Sequence, residues 1–267
     1  MKQKKITGGK RRRGNFKNNK KNEPLISVIM VCLNSQKYLT KSINSVLKQS
    51  YKNFELIIID GGSTDDTLKI LKKNNNKIDF WISEKDRSHF DAMNKGIKLS
   101  RGSIISILNS DDVYYINALK TAAKYFKKYQ KIDFLFGGVI KHKLLHGYKP
   151  NKIYWSFGFY SAHSIGFFIR KKSQMKVGLY KIKYKYSSDY DLFYRLIVKH
   201  KMKGVATKKN EIFGKFRRGG ISSKLSNNDF LREIYKVRVD NGQNKIFVLF
   251  LLFLKYSKYN LKKILKL

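Results

Sequence analysis

Short, predominantly apolar runs recur along the chain from residue 26 onward. The first, Ile26–Cys32, contains one polar residue, which is typical of a strand buried on both faces of a sheet. Runs of the same kind follow at 54–59, 78–82, 103–108 and 133–136. Because they are short and lie between turn-forming residues, we predict that they are strands.

The segments between these runs place apolar residues at helical spacing. We predict helices over 38–49 and 116–129, a helix around Phe90, and a further helix that Ser63 or Thr64 caps. Strands that alternate with helices indicate βαβ units. The predicted fold is therefore α/β, with a Rossmann-like, mostly parallel sheet flanked by helices.

Polar side chains gather where the predicted strands end. Acidic residues are scarce in this chain, with 18 Asp and Glu among 267 residues, so their placement is informative. In parallel sheets, ligands bind at the carboxyl ends of the strands. The residues that follow the first four strands are Asn34, Asp60, Glu84, Asp86, Asp111 and Asp112.

The acidic pair Asp111-Asp112 comes directly after the fourth predicted strand. Adjacent carboxylates at a sheet edge suit a hard divalent cation, Mg²⁺ or Mn²⁺, that also binds substrate phosphates. A turn or helix cap is the alternative, because Asn-Ser-Asp-Asp is a favourable turn sequence. The sequence contains no GxGxxG after the first strand, no Walker A motif and no His/Cys cluster with zinc spacing.

Residues 24 to 115 resemble the opening half of bacterial family 2 glycosyltransferases of the GT-A fold, which build surface glycans. Two segments carry the likeness, PLISVIMVCLNSQKYLTKSINSVLKQSYKNFELIIIDGGSTDDT and SEKDRSHFDAMNKGIKLSRGSIISILNSDD. In the second, Asn109–Asp112 occupies the place of the metal-binding DXD-type motif. Weaker likeness continues to about residue 225 in HSIGFFIRK, SSDYDLFYRL and FRRGGISS.

The resemblance implies transfer of a sugar from a nucleotide-sugar donor to an acceptor hydroxyl, with inversion at the anomeric carbon. It implies a metal ion, Mg²⁺ or Mn²⁺, that Asp112 holds together with Asp111. Asp111 would lie near the ribose or donor sugar. Many relatives carry a second Asp after the position of Asp60, where this chain has Gly61, so the base of the donor stays open. The QxxRW motif of processive synthases is not found, which favours transfer of a single sugar.

The resemblance also assigns further positions to the donor pocket, and several have structural alternatives. Asp91 would equally cap its own helix. His163 lies among Tyr and Phe in the sequence, so it would equally be a hydrogen-bonded packing residue. Arg217 and Arg218, before Gly219, would either clamp the diphosphate or lie on a basic surface loop. The positions so assigned are Asn34, Asp60, Asp86, Asp91, His163, Arg217 and Arg218.

An inverting displacement needs a base that takes the acceptor proton. The resemblance places this base at the start of the SSDYDLFYRL helix, where relatives often carry Glu-Asp. Asp189 matches the second of these residues, and Ser188 replaces the first. Asp191 is the alternative, although its i,i+4 spacing to Arg195 predicts an ion pair and a structural role.

The chain carries 58 Lys and Arg, which gives a formal net charge of +40. Such a charge attracts polyanions, so the alternative function is a basic nucleic-acid-binding protein. No recognised nucleic-acid-reading motif supports it, and we expect no specific nucleic acid partner. Residues 1–23 are basic and almost devoid of apolar residues, which predicts a disordered tail.

The C-terminal part contains nine consecutive apolar residues at 246–254, too few to span a bilayer. Lysines at helical spacing follow, which predicts an amphipathic helical segment over 226–267. It would either lie on an anionic membrane surface or pack on the domain. The first option suits a lipid-linked sugar acceptor and a cytoplasmic enzyme at the inner face of the cytoplasmic membrane. We expect 24–136 to bind the nucleotide sugar and 137–225 to bind the acceptor and supply the base.

Overall fold

A computed structural model describes residues 5–155, 164–217 and 226–264. The strands are β1 Ile6–Gly8, β2 Ile26–Cys32, β3 Phe54–Asp60, β4 Phe80–Ser83, β5 Ile104–Asn109, β6 Val113–Tyr114, β7 Phe134–Phe136, β8 Gly138–Ile140, β9 Leu144–Leu145, β10 Phe167–Arg170, β11 Gly204–Ala206 and β12 Ile212–Lys215. The α-helices are α1 Leu39–Leu47, α2 Thr67–Lys73, α3 His89–Leu99, α4 Ala118–Lys128, α5 Lys152–Trp155, α6 Lys171–Val177, α7 Ser188–Tyr194, α8 Asn227–Asp240 and α9 Lys245–Ile264. A π-helical turn, Arg195–Lys199, continues α7.

The main sheet has eight strands in the order β1-β4-β3-β2-β5-β10-β7-β11. Its centre, from β4 through β3 and β2 to β5, is parallel, which confirms the predicted mostly parallel sheet. All seven residues of β2 and of β3 are buried, as expected of central strands covered on both faces. β10 inserts antiparallel between β5 and β7. The carboxyl ends of β2, β3, β4 and β5 therefore meet at one edge of the sheet.

The N-terminal segment is not a disordered tail, so that prediction is wrong for residues 5–23. β1 pairs antiparallel with β4, which gives this edge strand a backbone partner. The Arg11 guanidinium forms an ion pair with the carboxylate of Glu55, which is fully buried in β3, and donates to the carbonyl of Leu99 at 2.8 Å. A buried carboxylate needs a counter-ion, and the basic segment supplies it.

The helix after β3 begins later than predicted, at Thr67 with Asp66 as its N-terminal cap residue. Ser63 and Thr64 do not cap it, because their hydrogen-bonding groups are used elsewhere. The Ser63 hydroxyl and amide donate to Asp60, and the Thr64 amide donates to the Asn34 side-chain oxygen at 2.9 Å. These two residues therefore shape the loop that follows β3.

A smaller four-stranded sheet, in the order β6-β12-β8-β9, lies beyond the end of β5. β6 directly follows Asp112 and pairs antiparallel with β12, so the chain after β12 returns to the acidic pair. At the C-terminus, α8 packs on α7 and α9 packs on α8, which agrees with the predicted helical character. Within the described ranges, no helix combines the length and apolarity needed to cross a membrane.

Candidate active site

The loops after β2 and β3 are fastened to each other by Asn34. Asn34 adopts a left-handed backbone conformation, with a φ of 49°, which Asn tolerates better than most residues. Its amide donates to the Ser63 hydroxyl at 2.8 Å, while its side-chain oxygen accepts from Thr64. The predicted donor residue Asn34 thus lies at the sheet edge and sets the shape of both loops.

The Asp60 carboxylate ends β3 and is fully buried. It accepts hydrogen bonds from the Ser63 amide at 3.2 Å and from the Ser83 hydroxyl at 2.6 Å, so it ties the turn after β3 to the end of β4. Burial, followed by the charge of Asp60, raises the pKa of the neighbouring Cys32 thiol. Cys32 is therefore an unreactive packing residue.

Asp86 lies against the turn that follows Asp60. A Cβ atom added to Gly61 would stand 3.2 Å from the Asp86 carboxylate, so any side chain at position 61 would face that carboxylate. Burial raises the pKa of Asp86, and its ion pair with Lys95 at 2.5 Å opposes that rise. Lys95 also pairs with Glu84 at 2.9 Å. These side chains form one charged cluster at the end of β4.

Asp91 belongs to the first turn of α3, and the N-terminal cap of that helix is Ser88. The Ser88 hydroxyl accepts from the Asp91 amide at 3.2 Å, so Asp91 is not the cap residue itself. Its carboxylate accepts from the amide and the guanidinium of Arg87, which holds the pKa of Asp91 below its usual range. The predicted role of Asp91 in the donor pocket stays a prediction.

The acidic pair lies in the turn between β5 and β6. The Asp112 side chain is fully buried and accepts from the Arg217 amide at 3.0 Å and from the Asn109 side-chain amide at 3.2 Å. Burial raises the pKa of Asp112 to about 7, with the Arg217 amide opposing the rise. The Asp111 carboxylate accepts from Arg217 Nε at 3.0 Å. The guanidinium of Arg217 also lies 4.1 Å from the centre of the Tyr38 ring.

Three residues that sequence reasoning missed support this turn. The Ser42 hydroxyl lies 2.7 Å from the backbone oxygens of both Ser110 and Asp112. The hydroxyls of Ser35 and Ser110 are 2.7 Å apart, and Tyr38 contacts Arg217. Ser35, Tyr38 and Ser42 recur every three or four positions after β2, so they share one face of the chain as it enters α1. That polar face is the signal that could have identified them.

The two candidate bases have different environments. Asp191 is fully buried and pairs with Arg195 at 2.8 Å, which confirms the predicted ion pair. It also accepts from Lys181 at 3.1 Å and from Asn241 at 2.8 Å. Asp189 is half-buried at the start of α7, where its carboxylate accepts from the Tyr190 amide at 2.7 Å. Asp191 therefore belongs to the protein interior, and Asp189 lies closer to solvent.

The acidic pair fits a hard divalent ion that the substrate helps to bind. Within the described ranges, no three or more His, Cys, Asp or Glu side chains group together as a metal site. The Asn109 side-chain oxygen beside Asp112 is buried and accepts no hydrogen bond within the described ranges. Few protein ligands with phosphate oxygens completing the coordination are typical of Mg²⁺ sites. His163 and Arg218 lie outside the described residues.

Comparison with known proteins identifies the family of the chain. Residues 27–188 match the family model described as glycosyl transferase family 2. A PGL/p-HBAD biosynthesis glycosyltransferase of Mycobacterium tuberculosis is 26% identical over 228 residues, covering 79% of this chain and 84% of the relative. A UDP-Glc:alpha-D-GlcNAc-diphosphoundecaprenol beta-1,3-glucosyltransferase of Escherichia coli, WfgD, is 34% identical over 114 residues, covering 42% of this chain and 45% of that protein.

Solved structures share the fold. TarS 1–349 of S. aureus in complex with UDP-GlcNAc has a TM-score of 0.63 at 19% identity, covering 85% of this chain and 70% of that one. The chain spans only 42% of a longer TarS structure. The mannosyltransferase PcManGT of Pyrobaculum calidifontis, in complex with GDP-Man and Mn²⁺, has a TM-score of 0.63 at 14% identity, covering 86% of this chain and 68% of that one. With its GT-A fold and a family match over more than half of its length, this chain belongs to glycosyltransferase family 2.

Proposed function

We propose that this enzyme transfers a single sugar from a nucleotide-sugar donor to an acceptor hydroxyl, with inversion at the anomeric carbon, in the synthesis of a surface polysaccharide or glycolipid. One observation carries the proposal. The Asp111-Asp112 pair follows β5, lies beside Arg217, and is joined through the Ser35–Ser110 contact to the loop after β2. This edge, at the carboxyl ends of parallel strands, is where such sheets bind nucleotides.

The proposed metal ion is Mg²⁺ or Mn²⁺, held by Asp112 and Asp111. When bound, such an ion offsets the negative charge that develops on a departing nucleoside diphosphate. The Asn109 side-chain amide and the Arg217 amide orient the Asp112 carboxylate. The Mn²⁺ of the PcManGT complex with GDP-Man supports this assignment by similarity of fold.

We propose that Arg217 contributes to diphosphate binding. Its guanidinium is anchored by Nε on Asp111, and its Nη1 lies 3.2 Å from the Tyr38 hydroxyl. A guanidinium donates two parallel hydrogen bonds to a phosphate, which suits recognition of the leaving group. Arg218 and His163 remain proposed donor-pocket residues from the resemblance, together with Asn34, Asp60, Asp86 and Asp91.

The proposed catalytic base is Asp189, whose carboxylate would take the proton of the acceptor hydroxyl as the new bond forms. Its position at the start of α7 and its partial exposure support this role. The alternative, Asp191, has its carboxylate occupied by Arg195, Lys181 and Asn241 in the interior. Asp191 is therefore proposed to hold α7 in place.

The proposed acceptor is a lipid-linked sugar. The Escherichia coli relative has a diphosphoundecaprenol acceptor in its name, which supports this class. A lipid-linked acceptor requires the enzyme to work at a membrane surface, and we propose the inner face of the cytoplasmic membrane. The excess positive charge of +40 suits a surface that carries anionic lipid.

A panel of nucleotide sugars, screened by thermal shift with and without Mn²⁺, tests the proposed function. A bound donor raises the midpoint of unfolding by an amount that grows with the logarithm of its concentration relative to its dissociation constant. We expect one class of donor to stabilise the protein only with Mn²⁺, and Asp112→Asn to lose that effect while Asp191→Asn retains it. Equal stabilisation of wild type and Asp112→Asn by donor and Mn²⁺ would contradict the assignment.

A further inference from the structure

The C-terminal helix α9 presents apolar side chains on two sides. Val248 and Leu251 are buried in the body of the protein. The other side carries Ile246, Leu249, Phe250 and Phe253 with exposed fractions of 78%, 53%, 54% and 67%. Their spacing of i, i+3, i+4 and i+7 makes one continuous stripe along the helix. The helix therefore packs on the domain with one side and exposes an apolar face on the other, and its binding to a membrane stays a prediction.

An aromatic side chain from a different part of the chain extends this stripe. Trp155, at the end of α5, is 68% exposed and contacts Phe247 edge to face with ring centres 5.5 Å apart. We call Trp155 together with the stripe of α9 the apolar face. Trp is a preferred residue at membrane–water interfaces, because its ring is apolar while its N–H is polar.

The segment that carries the apolar face is also strongly basic in sequence. Residues 245–267 include six lysines, at 245, 255, 258, 262, 263 and 266, and no Asp or Glu. Lys255 is half-buried, with its ammonium 5.2 Å from the centre of the Phe230 ring. A contiguous exposed apolar surface of this kind marks an interaction site. Cations beside a row of large apolar side chains are the arrangement with which interfacial helices bind anionic lipid.

The charge also decides between two kinds of occupant. A second copy of this chain would bring another formal charge of +40 against the same face, and the two copies would repel each other. An anionic bilayer surface attracts the same lysines and accepts the apolar stripe. We infer that the apolar face binds a bilayer containing anionic phospholipid, with α9 lying along the interface. This inference deepens the proposed function and rests on its membrane location.

Vesicle binding by the full chain tests the inference. We expect co-sedimentation with phosphatidylcholine vesicles that contain phosphatidylglycerol, and much weaker binding without it. Phe250→Ser combined with Phe253→Ser should weaken binding by about tenfold or more, since each lost phenylalanine removes a large apolar contact. Both side chains are exposed, so the unfolding midpoint should stay unchanged. The matched control is Ile116→Ser combined with Met175→Ser, which should leave vesicle binding unchanged. Ile116, just before α4, is 61% exposed, and Met175, in α6, is 50% exposed.

Tryptophan emission provides a second readout. The chain has two tryptophans, and Trp81 is only 3% exposed, so a blue shift on vesicle addition reports Trp155. Trp155→Phe should abolish the shift. Unchanged vesicle binding by the double Phe variant, a shift that persists in Trp155→Phe, or dimers that the double Phe variant abolishes would each overturn the inference.

Two separate assays distinguish failure of this inference from failure of the proposed function. Vesicle binding is measured without donor, and sugar transfer is measured with a water-soluble acceptor in the absence of vesicles. The double Phe variant should transfer sugar to the soluble acceptor at the wild-type rate. Vesicle binding without any transfer would reject the proposed function alone, and transfer without vesicle binding would reject the membrane surface alone.

Discussion

Replacing Asp191 by Asn tests how the structure divides the roles of the two acidic residues on α7. The Asp191 carboxylate is fully buried and accepts from Arg195, Asn241 and Lys181 at 2.8 to 3.1 Å. The Arg195 side chain is only 7% exposed. Neutralising Asp191 therefore leaves a guanidinium charge in the interior without its counter-ion.

The expected loss of stability follows from these contacts. Removing one partner of a buried ion pair costs about 3–5 kcal/mol. Arg195 keeps hydrogen bonds to the carbonyls of Val177 and Leu179, and Asn preserves the volume of Asp and one acceptor oxygen. We therefore expect Asp191→Asn to lower the free energy of unfolding by about 3 kcal/mol, the lower end of that range.

Urea unfolding followed by intrinsic fluorescence measures this change, with kcat determined at a temperature at which the variant stays folded. Asp189→Asn is the matched control. Its carboxylate is half-buried near a helix N-terminus, a position that typically contributes about 0.3–1 kcal/mol, so this variant should stay folded, bind donor and lose turnover. Wild-type stability with lost turnover in Asp191→Asn would refute the reasoning and move the base to Asp191.

Three further predictions follow from ion pairs and close contacts. Arg11→Ala leaves the buried carboxylate of Glu55 without its counter-ion, so we expect urea unfolding to show that the free energy of unfolding falls by about 3 kcal/mol. An unchanged free energy of unfolding would contradict the N-terminal packing. Arg217→Gln removes a cation from the acidic pair, so calorimetry should show tighter Mn²⁺ binding without nucleotide and weaker donor binding; unchanged affinities would exclude its role. Gly61→Asp places a second carboxylate against Asp86, so we expect the free energy of unfolding to fall by about 1 kcal/mol or more. Adding Asp86→Asn should recover this free energy, and an equal fall with and without Asp86→Asn would contradict the contact.

Patterns that are local in the sequence predicted the centre of the fold. β2 has the predicted bounds, and the polar residues after β2, β3 and β5 do meet at one edge of the sheet. Burial on both faces imposes continuous apolar runs, and short polar turns between strands and helices limit where each strand can end. The i,i+4 pair of Asp191 and Arg195 was predictable for the same reason, since a helix brings these positions together.

Contacts between distant parts of the chain were not predictable in this way. Residues 5–23 lack the apolar pattern of a folded segment. They are held in place instead by backbone pairing with β4 and by the ion pair of Arg11 with Glu55. Arg217 reaches Asp111 across 106 positions, through the pairing of β12 with β6. Neither contact leaves a periodic trace in the sequence, since the partners lie on different elements.

Anomalous diffraction from crystals grown with Mn²⁺ and the donor selected by thermal shift tests the central claim most directly. We predict a manganese peak within about 2.2 Å of an Asp112 carboxylate oxygen, shared with oxygens of the diphosphate, a distance typical of octahedral oxygen sites. A bound nucleotide diphosphate with no manganese at Asp112, or manganese bound at another place in the protein, would contradict it.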